Sequence, residues 1–228
     1  MSWQEFIATI QALRSDPKLR VAVLTGAGAK SFIGGADISE LRDLNPESAR
    51  DFLTLIHRVC SALRLLPVPV IARINGYCLG AGLEVAAACD MRVSTEDAVF
   101  GMPEVKVGIP SVIEAALLTN LIGWGKTRVL CYTGENIQAK EALNWGLVEK
   151  IVPADELDEA VAQWTSSILE AGPNAIRLQK ELIGYWEKMS VGDAVQEGIR
   201  SIGKAYETDE PFRMLSAQIS KLQGRNKG

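Results

Sequence analysis

The sequence predicts an α/β fold that is followed by an all-helical C-terminal region. Short β-rich runs, such as Val70–Ile74 and Val99–Gly101, alternate with longer stretches of helical apolar spacing up to residue 152. From Pro153 onward the strand signals cease and only helical patterns remain. Because strands that alternate with helices pack in layers around one core, we predict a mixed domain over residues 1–152 and a helical region over residues 153–228.

The composition fits a protein with a substantial core and limits its partners. Of the 228 residues, 47% are hydrophobic and 23% are charged, and the net charge is −4. No basic run is present to neutralise phosphates, which argues against nucleic acid as a partner. The apolar runs are too short to span a bilayer, and the start lacks the basic and apolar segments of a signal peptide. We therefore expect a cytoplasmic protein that does not bind a membrane.

The cysteines and the single histidine argue against metal and triad chemistry. The four cysteines form no Cys-x-x-Cys pair, and three of them lie in apolar surroundings that are typical of buried thiols. His57 is the only histidine and falls within a helical pattern. We expect His57 to be a surface or helix-packing residue. We therefore predict neither a His-based triad nor a bound metal.

Apolar spacing places the first elements of the mixed domain. A helix is predicted over residues 3–14, and a short buried strand over residues 20–25. Asn45 then opens a long amphipathic helix that runs to residue 66. Between the strand and this helix, Asp37 is placed to cap a short helix, which is a commoner role for such a residue than catalysis. The backbone N–H groups around Ala36 are expected to point outward.

The remaining elements follow from the same spacing rules. In the mixed domain, helices are predicted over residues 83–89, 111–121, 126–132 and 138–145, and a strand over residues 147–152. In the C-terminal region, helices are predicted over residues 155–171, 174–188, 190–208 and 211–222.

The stretch over residues 75–104 holds the strongest candidate for a functional site. A glycine-rich loop over residues 76–82 follows a strand and opens an alanine-rich helix. Such a loop can direct backbone N–H groups at a ligand, and the helix start adds partial positive charge. Glu84 falls in the first helical turn, and Glu104 follows the next β-rich run. Two carboxylates and backbone donors at one pocket would suit acid–base chemistry on a developing oxyanion.

Each of these glutamates also has an ordinary explanation when it is considered alone. A Glu in the first turn of a helix, such as Glu84, commonly complements the helix dipole. A Glu that follows a proline, such as Glu104, is usually a solvated turn residue. Only their joint context favours a catalytic role for both.

The motifs, taken in order, resemble the crotonase superfamily, the enoyl-coenzyme A (CoA) hydratase/isomerase family. The resemblance covers nearly the whole chain and implies an α/β fold: a crotonase-like spiral of ββα repeats with a C-terminal helical oligomerisation region. It also implies an acyl-CoA substrate and assembly as a homotrimer or a hexamer. The segments that carry the resemblance are residues 21–26, 34–38, 75–84, 89–90, 100–104, 133–134 and 146–148.

The resemblance also implies roles for individual residues. Ala36 and Ala81 would supply the two N–H groups of an oxyanion hole; the family commonly has Gly at the second position, and Ala retains the N–H. Glu84 would mainly activate water and Glu104 would mainly protonate Cα, as one coupled pair. No metal and no separate cofactor is implied, since CoA is part of the substrate. The further residues expected to bind substrate are Gly34, Asp37, Ile38, Gly80, Gly82 and Met102.

The reaction expected from this resemblance is the reversible hydration of a 2-enoyl-CoA to a 3-hydroxyacyl-CoA, because hydratases of the family carry Glu at both positions. One enzymatic alternative is double-bond isomerisation or carnitinyl-CoA-type dehydration, in which Glu104 shuttles a proton. A non-catalytic CoA-binding scaffold is a further alternative, but a scaffold needs neither acid. Acyl chain length and pathway are not determined by these motifs.

Three departures from the family pattern bear on these expectations. The usual N-terminal β-hairpin is missing, because the chain starts directly at a helix. The glycine-rich turn that many hydratases have after Ile-Pro is replaced by residues 111–114, whose bulkier side chains should reshape the acyl pocket. Within it, Glu114 is expected to be a solvated helix residue, with an approach to the site as the alternative. Gln218 stands where members often place a Phe that faces the coenzyme.

Overall fold

The computed structural model describes residues 2–225 and divides the chain into two compact units. The first unit ends at Trp164 and the second begins at Thr165. This division lies inside a helix, Leu157–Glu170. The boundary placed after residue 152 on sequence grounds stays a prediction, and residues 226–228 of the predicted helical region lie outside the described residues.

The first unit alternates helices and strands along the chain. Its helices are α1 (Trp3–Arg14), α2 (Ile38–Arg42), α3 (Pro46–Arg64), α4 (Ala81–Ala88), α5 (Leu118–Thr133), α6 (Ala139–Trp145) and the start of α7 (Leu157–Glu170). Its strands are β1 (Ala22–Thr25), β2 (Ser31–Ile33), β3 (Val70–Ile74), β4 (Tyr77–Leu79), β5 (Met91–Thr95), β6 (Val99–Gly101), β7 (Asn136–Gln138) and β8 (Lys150–Val152). Short 3₁₀ helices span Pro103–Val107, Ile113–Leu117 and Ala154–Glu156.

The strands form two sheets that the chain visits in turn. One sheet has the order β1-β3-β5-β8 with all strands parallel, and the other has the order β2-β4-β6-β7, in which only β7 is antiparallel. Three successive repeats, β1–β2, β3–β4 and β5–β6, therefore each contribute one strand to the first sheet, the next strand to the second sheet and then helical structure, and β7 and β8 complete the two sheets. This is the ββα spiral that the resemblance implied.

Helix starts are defined by capping residues that the sequence displays. Asn45 accepts hydrogen bonds from the backbone N–H groups of Glu47 and Ser48, at 2.9 and 3.0 Å, and so fixes the start of α3. Ser2 and Glu5 form a reciprocal capping box at α1. The predicted bounds of α1 are confirmed, and α3 ends at Arg64.

The helix α4 lies at the centre of the core. Each of its residues is buried, and it packs against α3, β2, β4 and the 3₁₀ helix Ile113–Leu117. Its run of alanines permits this close packing on several sides, because small side chains let neighbouring elements approach. The three thiols of Cys60, Cys78 and Cys89 are buried in the same core, and Cys131 is half-buried.

Some short elements differ from the sequence-based prediction. Four strands were not predicted: β5, and the three-residue strands β2, β4 and β7. The helix predicted over residues 111–121 is wrong at its start, where the chain forms a 3₁₀ helix instead. The predicted break between the helices over residues 111–121 and 126–132 is confirmed, because α5 is interrupted at Gly123, whose φ of 76° and ψ of 162° are not helical.

The second unit is helical, as predicted. It contains the end of α7, then α8 (Pro173–Trp186), α9 (Val191–Ala205) and α10 (Glu210–Arg225). Glu210 is buried and accepts hydrogen bonds from the backbone N–H groups of Asn174 and Ala175, which links the start of α10 to the start of α8. In the described part of the chain, no helix combines the length and the apolar character that crossing a membrane requires.

Candidate active site

A cavity of about 680 Å³ lies in the first unit. Its wall is formed by the loop after β2, one face of α3, the β4–α4 turn and the chain between β6 and α5. The α3 face is apolar and contributes Phe52, Leu53 and Ile56. Glu84 and Glu104 also line the cavity, so it can hold an apolar chain beside polar groups.

Two backbone N–H groups at this cavity are free to bind a ligand. Ala36 lies in the loop between β2 and α2, and Ala81 is the first residue of α4. Both residues line the cavity. Neither N–H donates a hydrogen bond to a protein acceptor among residues 2–225. The start of α4 adds partial positive charge at Ala81, so this pair of donors can stabilise an oxyanion.

Gly80, the residue that caps α4, must be a glycine for two reasons. Its φ of 53° lies in the left-handed region. A side chain at this position would also collide with Oε1 of Glu104. The glycine therefore lets the carboxyl group of Glu104 approach the backbone at the start of α4.

Glu84 is a buried acid whose environment disfavours its charged form. The residue lies in the first turn of α4 and is only 4% exposed, and its Oε1 accepts the N–H of Ala115 at 3.1 Å. Burial raises the pKa of Glu84 to about 8; the N–H of Ala115 opposes this shift, and the charges of Glu104 and Glu114 add to it. Such a carboxylate is an unusually strong base near neutral pH.

Glu104 reaches the same cavity from a different repeat of the spiral. It lies in the 3₁₀ helix Pro103–Val107 after β6 and is half-buried. Its Oε2 accepts a hydrogen bond from the hydroxyl of Ser111 at 2.8 Å, and its Oε1 lies against Gly80. The two carboxyl groups therefore belong to one site, as the sequence suggested.

The structure separates the other predicted site residues into two groups. Gly34, Ile38 and Gly80 line the cavity with the two alanines and the two glutamates. Asp37 does not line the cavity: it caps α2 and accepts hydrogen bonds from the N–H and hydroxyl of Ser39.

Gly82 and Met102 are also absent from the cavity wall. Gly82 packs against the carbonyl group of Ile33, where a side chain would collide. Met102 is fully buried in the core. These two residues therefore have packing positions where substrate contacts were expected.

Sequence reasoning missed the groups that hold the two carboxylates. Ser111 and Ala115 contact them, and Glu114 lies between these residues in the chain. The expectation that Glu114 is solvated was wrong: it is 8% exposed, and its Oε1 lies 2.8 Å from Nδ1 of His57. The available signal was the replacement of a glycine-rich turn by residues 111–114.

The fold and the site are those of an enzyme whose backbone N–H groups can stabilise an oxyanion and whose carboxylates can move protons. No group of three or more His, Cys, Asp or Glu side chains within residues 2–225 is arranged to hold a metal ion.

Comparisons with known proteins agree with this class. The family profile described as "Enoyl-CoA hydratase/isomerase" matches residues 2–198. The chain is 36% identical to the short-chain-enoyl-CoA hydratase of Clostridium acetobutylicum, over 96% of this chain and 84% of that protein. It is 34% identical to the crotonyl-CoA hydratase of Syntrophomonas wolfei, over 93% of this chain and 82% of that protein.

A solved structure extends the similarity to three dimensions. The enoyl-CoA hydratase of Bacillus anthracis superposes with a TM-score of 0.92 at 34% identity, covering 96% of this chain and 85% of that one. The chain belongs to the enoyl-CoA hydratase/isomerase family and has the crotonase fold.

Proposed function

We propose that this protein adds water reversibly across the double bond of a 2-enoyl-CoA thioester to give a 3-hydroxyacyl-CoA. The observation that carries the proposal is the meeting of Glu84 and Glu104 at one cavity with the unbonded N–H groups of Ala36 and Ala81. The names of the relatives from Clostridium acetobutylicum and Syntrophomonas wolfei support the same reaction.

The proposed reaction starts at the thioester carbonyl. Its oxygen accepts hydrogen bonds from the N–H groups of Ala36 and Ala81, which draw electron density from the double bond and make Cβ electrophilic. The carboxylate of Glu84 takes a proton from water as the water oxygen forms its bond to Cβ. The electron pair of the double bond moves to form an enolate, whose oxygen the same N–H groups stabilise.

Protonation completes the proposed addition. Glu104 delivers a proton to Cα of the enolate, and the carbonyl group re-forms. The proton that Glu84 took from water then passes to Glu104. The net reaction therefore adds one water molecule and consumes none of the protein's protons. The two carboxyl groups exchange one proton. The oxyanion donors supply the polarisation for which other enzymes use a Lewis acid, so the proposed reaction needs no metal.

The acyl chain is proposed to lie along the apolar face of α3. Phe52, Leu53 and Ile56 line this face, and Val112 adds an apolar group from the opposite side. Gly34 and Ile38 would flank the thioester close to Ala36. This arrangement buries the apolar chain while it leaves the carbonyl group at the donors.

We further propose a homotrimer or a hexamer. The helix α9 has no buried residue, although one of its faces is strongly apolar. Such an unburied apolar face is typical of a subunit interface. Its large exposed apolar residues are Val191, Val195, Ile199 and Ile202. A cytoplasmic location is proposed because all four cysteines are free thiols, which is typical of reducing compartments.

The test of the proposed function is the loss of the conjugated enoyl-thioester absorbance of crotonyl-CoA. We expect turnover by the wild-type protein and a loss of at least about 10²-fold in kcat for Glu84→Gln and for Glu104→Gln, with KM nearly unchanged. The matched control is Glu96→Gln, which alters an exposed carboxylate away from the cavity and should leave kcat unchanged.

Other results would change the assignment. Normal turnover in either cavity variant would refute the two-carboxylate mechanism. Loss in Glu104→Gln alone would favour double-bond isomerisation or carnitinyl-CoA-type dehydration. Thermal stabilisation by CoA thioesters without turnover of any enoyl-CoA would favour the non-catalytic scaffold.

A further inference from the structure

The segment formed by residues 111–115 contacts both carboxyl groups of the site. At its first residue, the hydroxyl of Ser111 donates a hydrogen bond to Oε2 of Glu104 at 2.8 Å. At its last residue, the N–H of Ala115 donates to Oε1 of Glu84 at 3.1 Å. A shift of this segment would therefore move the hydrogen-bond donors of both acids together.

The backbone of this segment is strained. Ile113 has a φ of 40° and is the one residue other than glycine with a positive φ in the described part of the chain. This region is a genuine outlier for a β-branched side chain. Such a conformation persists only where surrounding contacts enforce it. Some contact next to Ile113 must therefore hold the segment in place.

Glu114 provides that contact. Its carboxyl group is buried, with Oε1 at 2.8 Å from Nδ1 of His57 on α3. Its other oxygen, Oε2, is buried without a hydrogen-bond partner. Nε2 of His57 lies 3.3 Å from the hydroxyl of Ser61, one turn further along α3. The long, well-capped helix α3 therefore contacts the strained segment through the side chains of His57 and Glu114.

The charge of Glu114 also acts on the site. Its carboxylate is one of the two like charges that raise the pKa of Glu84, the other being that of Glu104. The thiol of Cys60 on α3 faces the same group: burial raises its pKa, and the charges of Glu114 and Glu84 add to that shift. The titratable groups around Glu84 are thus Glu104, Glu114, Cys60, Cys131 and, behind Glu114, His57.

We propose that His57 and Glu114 form a positioning pair, which clamps the 111–115 segment to α3 so that Ser111 and Ala115 hold Glu104 and Glu84 in their reactive orientations. This inference rests on the proposed roles of Glu84 and Glu104 in hydration. Neither His57 nor Glu114 lines the cavity, so both act through the residues that do.

Three substitutions separate the effect of the His57–Glu114 contact from the effect of the charge of Glu114. His57→Leu removes this contact and leaves the buried Glu114 unpaired. His57→Asn keeps a side-chain nitrogen near the position of Nδ1 and serves as the conservative rescue. Glu114→Gln keeps an oxygen that can accept from His57 but removes the charge. The matched control is Asp51→Asn, which removes an exposed carboxylate from the same helix α3.

The kinetic expectation differs for each variant. With crotonyl-CoA, we expect His57→Leu to lose about tenfold or more in kcat with KM changed less than about twofold, since misplaced groups slow chemistry more than binding. His57→Asn should recover most of that loss. Glu114→Gln should move the rising limb of the pH profile of kcat/KM to lower pH, because losing a like charge lowers the pKa of Glu84. Asp51→Asn should match the wild type.

A spectroscopic measurement decides the inference even if hydration is not the reaction. ¹³C-carboxyl labelling of glutamate would follow Glu84 and Glu104, with their signals assigned from the two Gln variants. We expect both signals to shift in His57→Leu, and the titration of Glu84 to move to lower pH in Glu114→Gln. Unchanged signals and titration, or wild-type kcat and pH profiles in both variants, would overturn the positioning pair. A wild-type protein without hydratase activity would instead overturn the proposed function alone.

Discussion

At the scale of single residues, burial makes the carboxylate of Glu84 a stronger base at a cost in stability. The side chain is almost completely enclosed by α4 and its neighbours, so its charged form loses the solvation that water provides. The backbone N–H of Ala115 compensates only in part for this lost solvation. The same enclosure that makes the carboxylate a strong base therefore makes its ionisation destabilising to the fold.

This balance predicts that Glu84→Gln stabilises the protein increasingly as pH rises. The pKa of Glu84 is raised from 4.5 to about 8, so between these values the folded state binds more protons than the unfolded state and wild-type stability falls with pH. Glutamine removes this dependence and can still accept the N–H of Ala115. The advantage of the variant should grow by roughly 1 kcal/mol per pH unit across this interval.

Urea unfolding of the two proteins at pH 5, 6.5 and 8 measures this difference. Glu96→Gln, at an exposed position, should follow the wild type at each pH. A constant difference between Glu84→Gln and the wild type at the three values would contradict a raised pKa in the folded state.

At the scale of elements, Arg92 fixes the far end of α4. The guanidinium is 3% exposed and donates to the carbonyl groups of Ala86 and Cys89, at 3.3 and 2.8 Å, and to that of Leu147 at 2.9 Å. It also pairs with the carboxylate of Glu149. One side chain on β5 therefore satisfies carbonyl groups at the end of α4 and connects them to the chain that leads into β8.

This network predicts a large loss of stability for Arg92→Leu. The substitution removes the guanidinium donor from three buried carbonyl groups and a partly buried carboxylate, although the N–H of Cys89 still reaches Ala86 and the backbone N–H of residue 92 still reaches Glu149. We expect the free energy of unfolding to fall by about 3 kcal/mol or more. Chemical denaturation followed by circular dichroism would measure the loss. Lys140→Leu, at an exposed position of α6, should change stability by less than about 0.5 kcal/mol. A similarly small change in Arg92→Leu would show that the network contributes little.

At the scale of the whole molecule, the apolar face of α9 points to assembly. Val195 and Ile199 are more than half exposed, at 55% and 59%, although both are large aliphatic residues. Burial of such a face against copies of the chain would remove apolar surface from water. The proposed trimer or hexamer supplies that burial.

A charge on this face should weaken the assembly. We expect the wild-type protein to have a mass of three or six copies of the 24.7 kDa chain by light scattering, and Ile199→Glu to shift it toward one copy. Gln196→Glu adds the same charge at another exposed position of α9 and should keep the wild-type mass. A wild-type mass of a single chain would contradict the proposal.

Much of the fold could be predicted from the sequence, because the local signals and the tertiary structure agree. The cap at Asn45, the breadth of the apolar face of α3 and the strand Val70–Ile74 are visible in the sequence as spacing and composition. The glycine-rich loop at Gly80 and the two glutamates also indicated a site, and in the structure these groups line one cavity. At the cap and the strand, local chemistry sufficed because each requirement is met by neighbours in the chain, whereas the meeting of the two glutamates depends on the stacking of different repeats.

Only the tertiary structure decided which groups support that site. Glu114 is polar and lies in a short irregular segment, so its sequence predicts exposure. In the structure it is buried and contacts His57, which is 57 residues away in the chain. Met102 was expected to contact substrate, but it is fully buried in the core directly after β6. Pairings over such distances arise when separate repeats of the spiral stack, and no local pattern of residues encodes that contact.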